Sequence, residues 1–204
     1  MAKLYYKYGT MGSAKSSLLL MTAHSFDERG IQFLCLKPTI DTRDGTDVIV
    51  SRIGIRRECV GIEPTDNLYD LINEYSEIAT NGYLYGRPQW ILVDECQFLS
   101  EEQVDQLSEV VDFMDINVIC YGLRTDFRTR LFEGSKRLME IADDIEEMKI
   151  SCECGRKAIH NARIDSQGAI VTSGEQVLIG GDDTYKPMCR KCYNEAKKKV
   201  EQLN

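Results

Sequence analysis

Gly9-Thr10-Met11-Gly12-Ser13-Ala14-Lys15-Ser16 sets glycines, a lysine and a hydroxyl residue in the order of a phosphate-binding loop. In a G-x-x-x-x-G-K-[ST] loop, backbone amides at a helix N-terminus cradle phosphate oxygens. The lysine, here Lys15, reaches the β and γ oxygens of a nucleoside triphosphate, and the hydroxyl, here Ser16, ligates Mg²⁺. The pattern is incomplete, because Ala14 stands where the second glycine belongs and Gly12 comes two residues earlier. A glycine-rich turn carrying a solvated lysine is the competing reading. Further along, Gln89-Trp90-Ile91-Leu92-Val93-Asp94-Glu95 is an apolar run ending in two acids. Beside a phosphate loop, Asp94 would hold Mg²⁺ through water and Glu95 would point at the reacting phosphate, where a carboxylate can take the proton of an attacking hydroxyl. An ordinary strand-end turn is the plainer alternative. The third group is Cys152-Glu153-Cys154 with Cys189-Arg190-Lys191-Cys192. Four thiolates around Zn²⁺ make a closed, structural, tetrahedral site, although the first pair has one spacer residue instead of the usual two. Scattered reduced thiols are the alternative to zinc.

These residues need elements to hold them. Lys3–Tyr8 reads as a strand running into the loop, and Ser17–Arg29 as a helix with a buried Leu18-Leu19-Leu20-Met21 run, ended by Gly30. Ile31–Lys37, Trp90–Asp94 and Asn117–Gly122 read as further strands that are apolar throughout. Ser100-Glu101-Glu102-Gln103 reads as a capping box that opens a helix with Val104, Leu107, Val111 and Met114 on one face. All-apolar strands separated by helices imply a parallel sheet covered on both faces, so the fold class is α/β: a P-loop parallel sheet flanked by helices. Thr39–Pro64 reads as turns and a hairpin. Beyond Ile150 the texture changes to Cys, Gly and basic residues, which divides the chain into a nucleotide-binding domain, 1–150, and a small C-terminal zinc domain, 151–204. Asn194–Leu203 reads as a solvated helix, and Cys35, Cys59, Cys96 and Cys120 as small buried apolar residues.

The chain has 204 residues and a net charge of -8, which argues against a nucleic acid polymer as ligand because such binding rests on basic neutralisation of phosphates. A small anion held by local amides and one or two cations stays open. The N-terminal residues lack a signal-peptide core, and no stretch has the apolar length of a membrane span. A soluble, cytoplasmic protein is therefore expected, with no membrane partner and with its cysteines as free thiols or metal ligands.

Read together, several strings make the chain resemble the thymidine kinases of the cytosolic, zinc-containing, tetrameric class over nearly its whole length. They are Gly9–Ser16, Asp41-Thr42-Arg43, Val93-Asp94-Glu95-Cys96-Gln97-Phe98-Leu99, Tyr121-Gly122-Leu123-Arg124-Thr125-Asp126-Phe127, Ile179-Gly180-Gly181 with Tyr185, and the cysteine pairs. The resemblance implies transfer of the γ-phosphoryl group of ATP to the 5′-hydroxyl of thymidine, with Glu95 as general base, Lys15 on the phosphates and Arg43 near the transferred group. It implies an ATP site built from Gly9, Thr10, Met11, Gly12, Ser13, Ala14, Lys15, Ser16, Asp94, Glu95, Cys96 and Gln97, with Mg²⁺ on Ser16 and Asp94. The segment between the cysteine pairs is implied to be a lasso closed by zinc on Cys152, Cys154, Cys189 and Cys192. That lasso would cover the base through main-chain bonds around Leu178, with Tyr185 holding it. Phe98 is implied to stack on thymine, and Met11, Leu123 and Phe127 to shape the pocket for its 5-methyl group. A homotetramer and feedback inhibition by thymidine triphosphate are also implied. Another pyrimidine nucleoside as substrate, or a P-loop ATPase whose zinc module binds a protein or nucleic acid, are the competing functions.

Overall fold

A computed structural model of the chain describes residues 1–80, 87–178 and 184–203, so the Ile179-Gly180-Gly181 string lies outside the described residues. In chain order the strands are β1 (Leu4–Gly9), β2 (Phe33–Pro38), β3 (Val48–Val50), β4 (Arg56–Glu58), β5 (Val60–Ile62), β6 (Trp90–Val93), β7 (Asn117–Gly122), β8 (Asp144–Met148), β9 (His160–Arg163) and β10 (Tyr185–Met188). The helices are α1 (Lys15–Glu28), α2 (Leu68–Thr80), α3 (Glu101–Met114), α4 (Glu133–Ile141) and α5 (Arg190–Leu203). Six strands form one sheet in the order β5-β2-β6-β7-β1-β8, and every pairing in it is parallel. The pairs β3–β4 and β9–β10 are antiparallel and stand apart from that sheet.

The expected α/β fold is what these residues build, because alternate side chains of apolar strands point to opposite faces and both faces need cover. On one face Leu19, Leu20 and Ala23 of α1 pack with Cys35, Leu92, Ile119 and Tyr121 of the sheet and with Ile49 of β3. On the other, Leu36, Ile91, Val93, Val118 and Cys120 pack against Val104 and Leu107 of α3, Ile72 of α2 and Leu138 of α4.

The helix ends follow their local chemistry. Gly30, at φ +65°, closes α1: its N–H bonds to the Asp27 carbonyl at 3.1 Å, and Ile31 N–H to the Phe26 carbonyl at 2.9 Å. A left-handed glycine satisfies the last carbonyls in this way. At α3 the box is complete, with Ser100 Oγ accepting from Gln103 N–H at 3.1 Å and Gln103 Oε1 accepting from Ser100 N–H at 3.2 Å. Gln103 Nε2 also donates to the carbonyls of Glu63 and Asp66, which ties α3 to the turn before α2.

Two strands of the six-stranded sheet carry no pattern legible in sequence. β5 has only three residues and extends the sheet beside β2, inside the stretch read as turns and a hairpin; β3–β4 is that hairpin. β8 is Asp-Ile-Glu-Glu-Met, an edge strand with exposed side chains, recruited by backbone pairing with β1. An edge strand needs no apolar run, because one flank and much of its surface face solvent.

Candidate active site

β1 ends on a glycine that nothing else can replace: a Cβ on Gly9 would lie 2.3 Å from Ser13 Oγ and 2.6 Å from the Met148 carbonyl. The chain then turns through Gly12, at φ +79°, and Ala14, at φ 61° and ψ 26°, into α1, whose first bond runs from Leu18 N–H to the Ala14 carbonyl at 2.9 Å. Ala14 therefore adopts the left-handed conformation that the missing glycine would take freely. For an L-residue that conformation costs about 1–2 kcal/mol. Ala14→Gly is accordingly expected to stabilise the protein by about 1 kcal/mol, read as a thermal midpoint raised by roughly 3 °C. An unchanged or lower midpoint would show that Ala14 is unstrained in solution.

Lys15, 9% exposed, donates from Nζ to the Thr10 carbonyl at 2.9 Å and to Ser13 Oγ at 3.4 Å. Burial lowers its pKa, against the opposing pull of Glu95 and Asp94. Thr10 Oγ1 is buried without a partner, a polar group open to an acceptor or donor brought to the loop.

The acids leave the end of β6. Asp94, 4% exposed, lies beside the Ser16 hydroxyl. Burial, and then the charge of Glu95, push its pKa up to about 7, while Ser16 pulls it down. A buried carboxylate against a loop hydroxyl is the donor set that a hard divalent cation selects. Glu95 sits at φ 48° with both carboxylate oxygens engaged. Oε1 accepts from Arg43 Nη2 at 2.5 Å and Oε2 from Gln97 Nε2 at 2.5 Å. Gln97 Oε1 accepts from Leu123 N–H at 2.9 Å, which anchors the pair to the end of β7. Arg43 reaches Glu95 from Asp41, which it grips at 2.6 and 3.0 Å; Lys37 meets the same Asp41 at 3.2 Å. Burial alone would lower the Arg43 pKa, but Asp41 and Glu95 hold it above its usual value. Burial likewise works to raise the Asp41 pKa, but Arg43 and Lys37 hold it below its usual value.

One cavity of about 450 Å³ joins these parts. It is lined by Met11, Gly12, Ala14, Lys15 and Ser16 of the loop, by Arg43, Asp94, Glu95 and Gln97, and by Phe98, Leu123, Phe127, Leu178 and Tyr185. Met11, Phe127 and Tyr185 pack together with Leu123 beside them, and Phe98 meets Phe132 edge-on at 5.9 Å.

The far wall comes from the C-terminal segment. Tyr185 Oη donates to the Leu178 carbonyl at 2.9 Å and accepts from Arg163 at 2.8 and 3.1 Å. Arg163 also donates to the carbonyls of Glu175 and Gln176 and lies 3.8 Å over the Phe127 ring, so one guanidinium orders the strap and its aromatic support. Asn161, two residues earlier on β9, accepts from Met11 N–H at 2.7 Å and donates to the Thr125 carbonyl at 3.1 Å.

Behind that wall the four sulfurs of Cys152, Cys154, Cys189 and Cys192 lie within 4.8 Å of one another, with Cys154 and Cys189 at 3.6 Å. Tetrahedral zinc with bonds near 2.3 Å needs sulfurs about 3.8 Å apart, so the donor set fits the metal. The short Cys152–Cys154 spacing is no obstacle. Gly155, at φ +80°, turns the chain with its N–H on the Cys152 carbonyl at 2.8 Å, and Cys192 closes the group from the first turn of α5.

A thymidine kinase family model matches residues 2–193. The chain is 46% identical over 200 residues to the thymidine kinase of Legionella pneumophila strain Philadelphia 1, covering 98% of this chain and 93% of that one. It is 45% identical to the thymidine kinase of Rhodopirellula baltica over 96% of this chain and 90% of that one, and 45% identical to that of Haemophilus influenzae strain Rd over 96% and 97%. This chain belongs to the thymidine kinase family. It is an enzyme, an ATP-dependent kinase that moves the γ-phosphoryl group to the 5′-hydroxyl of thymidine.

For a thymidine kinase of this family, the structure gathers the residues singled out in sequence at one place, with informative exceptions. Glu95, Lys15, Arg43, Gln97 and the six nucleoside-side residues Met11, Phe98, Leu123, Phe127, Leu178 and Tyr185 all line the cavity. Gly9, Thr10 and Ser13 are buried in the loop and do not line the cavity. Cys96 does not line it: the side chain is fully buried in the sheet's core, so the earlier reading of Cys96 as a small apolar residue describes its packing. Asn161, Arg163 and Gln176 went unread. They fall between the cysteine pairs, where only Asn161 and Arg163 sharing one face of a strand hints at a joint task.

Proposed function

We propose that Glu95 is the general base of this thymidine kinase and that thymidine sits between it and the Arg163-ordered strap. The observation that carries the reading is the clamp on Glu95, whose two oxygens are held by Arg43 and Gln97 at the floor of the cavity that opens onto the phosphate loop. Each oxygen keeps a further lone pair to accept the proton of the 5′-hydroxyl. Lys15 and the first amides of α1 bind the phosphates, and Arg43 spreads the charge that develops on the transferred group. Ser16 and Asp94 would hold Mg²⁺, which supplies charge neutralisation of the β and γ oxygens when bound. Thymine lies in the slot of Phe98, Met11, Leu123 and Phe127, with its 5-methyl group against the last three, and the strap around Leu178 covers it. Leu178 is 51% exposed, so its part is played by the backbone, whose carbonyl Tyr185 holds.

The four cysteines hold structural zinc, and the chain divides into a kinase domain, 1–150, and a zinc-closed lasso domain, 151–204. Reduced thiols suit a cytoplasmic setting, and among the described residues no helix is long and apolar enough to cross a membrane. The homotetramer and inhibition by thymidine triphosphate are carried over from the family; sedimentation and an inhibitor titration test them.

Turnover with MgATP and a nucleoside panel tests the substrate reading: thymidine is expected to outrun deoxyuridine in kcat/KM by roughly tenfold, the worth of one methyl in an apolar pocket. Equal values would move the 5-position out of that pocket. Tyr185→Phe removes the hydroxyl shared by Arg163 and the Leu178 carbonyl. It is expected to raise the KM for thymidine about tenfold while the KM for ATP changes less than twofold. A change confined to ATP would take Tyr185 off the nucleoside side.

A further inference from the structure

Asn161 is 3% exposed, and its carboxamide is bonded at both ends: Oδ1 to Met11 N–H at 2.7 Å and Nδ2 to the Thr125 carbonyl at 3.1 Å. The first of these bonds reaches into the phosphate loop. Met11 N–H and the Thr10 carbonyl belong to one peptide unit, and a peptide unit is planar, so fixing the N–H direction fixes the carbonyl direction. The Thr10 carbonyl is the acceptor that holds Lys15 Nζ at 2.9 Å. Asn161 thereby sets the plane on which the phosphate-binding lysine rests.

Asn161 is itself placed by the cysteine cluster. Ala158 N–H bonds to the Ile150 carbonyl at 2.9 Å across the Cys152–Arg156 turn, and β9 begins two residues later. On β10, Pro187 is paired with Asn161 and Met188 with His160, and the next residue is Cys189. β9 and β10 therefore each run into one cysteine pair, and a metal on the four sulfurs would close their shared end.

We propose that Asn161 is a positioning residue that couples the zinc-held segment to the phosphate loop, so that metal at the four cysteines governs binding of the adenine nucleotide as well as of the nucleoside. The inference rests on the readings that the loop takes ATP and the cysteines take zinc. A merely structural Asn161, satisfying buried backbone groups, would leave nucleotide affinity independent of the metal. Arg163 orders the strap on the nucleoside side. Asn161, on the same strand, does the corresponding task on the phosphate side.

The test is the dissociation constant of MgATP, measured by calorimetry without nucleoside, on zinc-loaded and chelator-stripped forms of the full chain and of Asn161→Ala. Stripping is expected to weaken binding by the original chain about tenfold. Zinc-loaded Asn161→Ala is expected to be weakened about as much, and stripping that variant to add less than twofold, because the link is already cut. If Asn161→Ala melts too early to measure, Asn161→Ser, which keeps a polar group but cannot reach both partners, carries the same comparison. Unchanged MgATP affinity in the zinc-loaded variant, or an equal effect of stripping in both proteins, would overturn the coupling. Failure of the zinc-loaded original chain to bind MgATP would take down the phosphate-loop reading, and this proposal with it.

Discussion

Glu95→Gln is expected to lower kcat about 10³-fold, the usual worth of a positioned general base, while MgATP still binds. The glutamine preserves shape and can keep one contact to Gln97 or Arg43, but it cannot take the proton of the 5′-hydroxyl. Nucleotide affinity should hold or tighten, because Arg43 loses the carboxylate it now meets at 2.5 Å and can give more of its charge to phosphate. Single-turnover measurements place the loss in the chemical step, where a slowed product release would not show. Near-normal single-turnover rates would move the base elsewhere, and the clamp of Arg43 and Gln97 would then be only a structural ion pair.

Cys152→Ser and Cys189→Ser are each expected to lose zinc and at least a hundredfold in kcat/KM for thymidine, with metal content read by mass spectrometry. Binding of structural zinc contributes roughly 10 kcal/mol or more to folding a small surrounding segment, far above the few kcal/mol of its other contacts. The damage reaches the nucleoside side because the segment's links to the sheet depend on it. Tyr193 of α5 donates to the Phe127 carbonyl at 2.7 Å, and Arg163 stacks on the Phe127 ring. Cys154→His, which leaves three cysteines and an imidazole, is expected to retain the metal, since zinc accepts that ligand set. Full zinc retention in both serine variants would end the metal assignment.

The balance between these two expectations reflects where the chain stores its precision. Lys15 and Asp41 are charged groups, and Asp94 an ionisable one, taken out of water, which is costly for a charge unless it is paired. Lys37, Asp41, Arg43 and Glu95 form a continuous line of opposite charges at 3.2, 2.6 and 2.5 Å, so Glu95 and its neighbouring guanidinium are positioned before any substrate arrives. Such preorganisation is what positioning catalysis in phosphoryl transfer requires.

Local sequence determined those features whose physics is local. Apolar runs made the central strands; Ser100 and Gln103 made a cap; Gly30 ended a helix; and the glycines before Lys15 marked the tight turn into α1 even with Ala14 in place of glycine. The paired cysteines pointed to a metal-sized group, and the fold brings their four sulfurs within 4.8 Å of one another. Tertiary structure alone decided the rest. It turned the acidic edge strand Asp144–Met148 and the three residues Val60–Ile62 into sheet, because backbone pairing with an existing neighbour needs no side-chain pattern. It also turned Cys96 into the core while its neighbours Glu95 and Gln97 line the cavity, and it joined Asn161 to Met11 across 150 positions. Contacts of that range depend on how distant segments of the chain meet, and no periodicity within either segment encodes it.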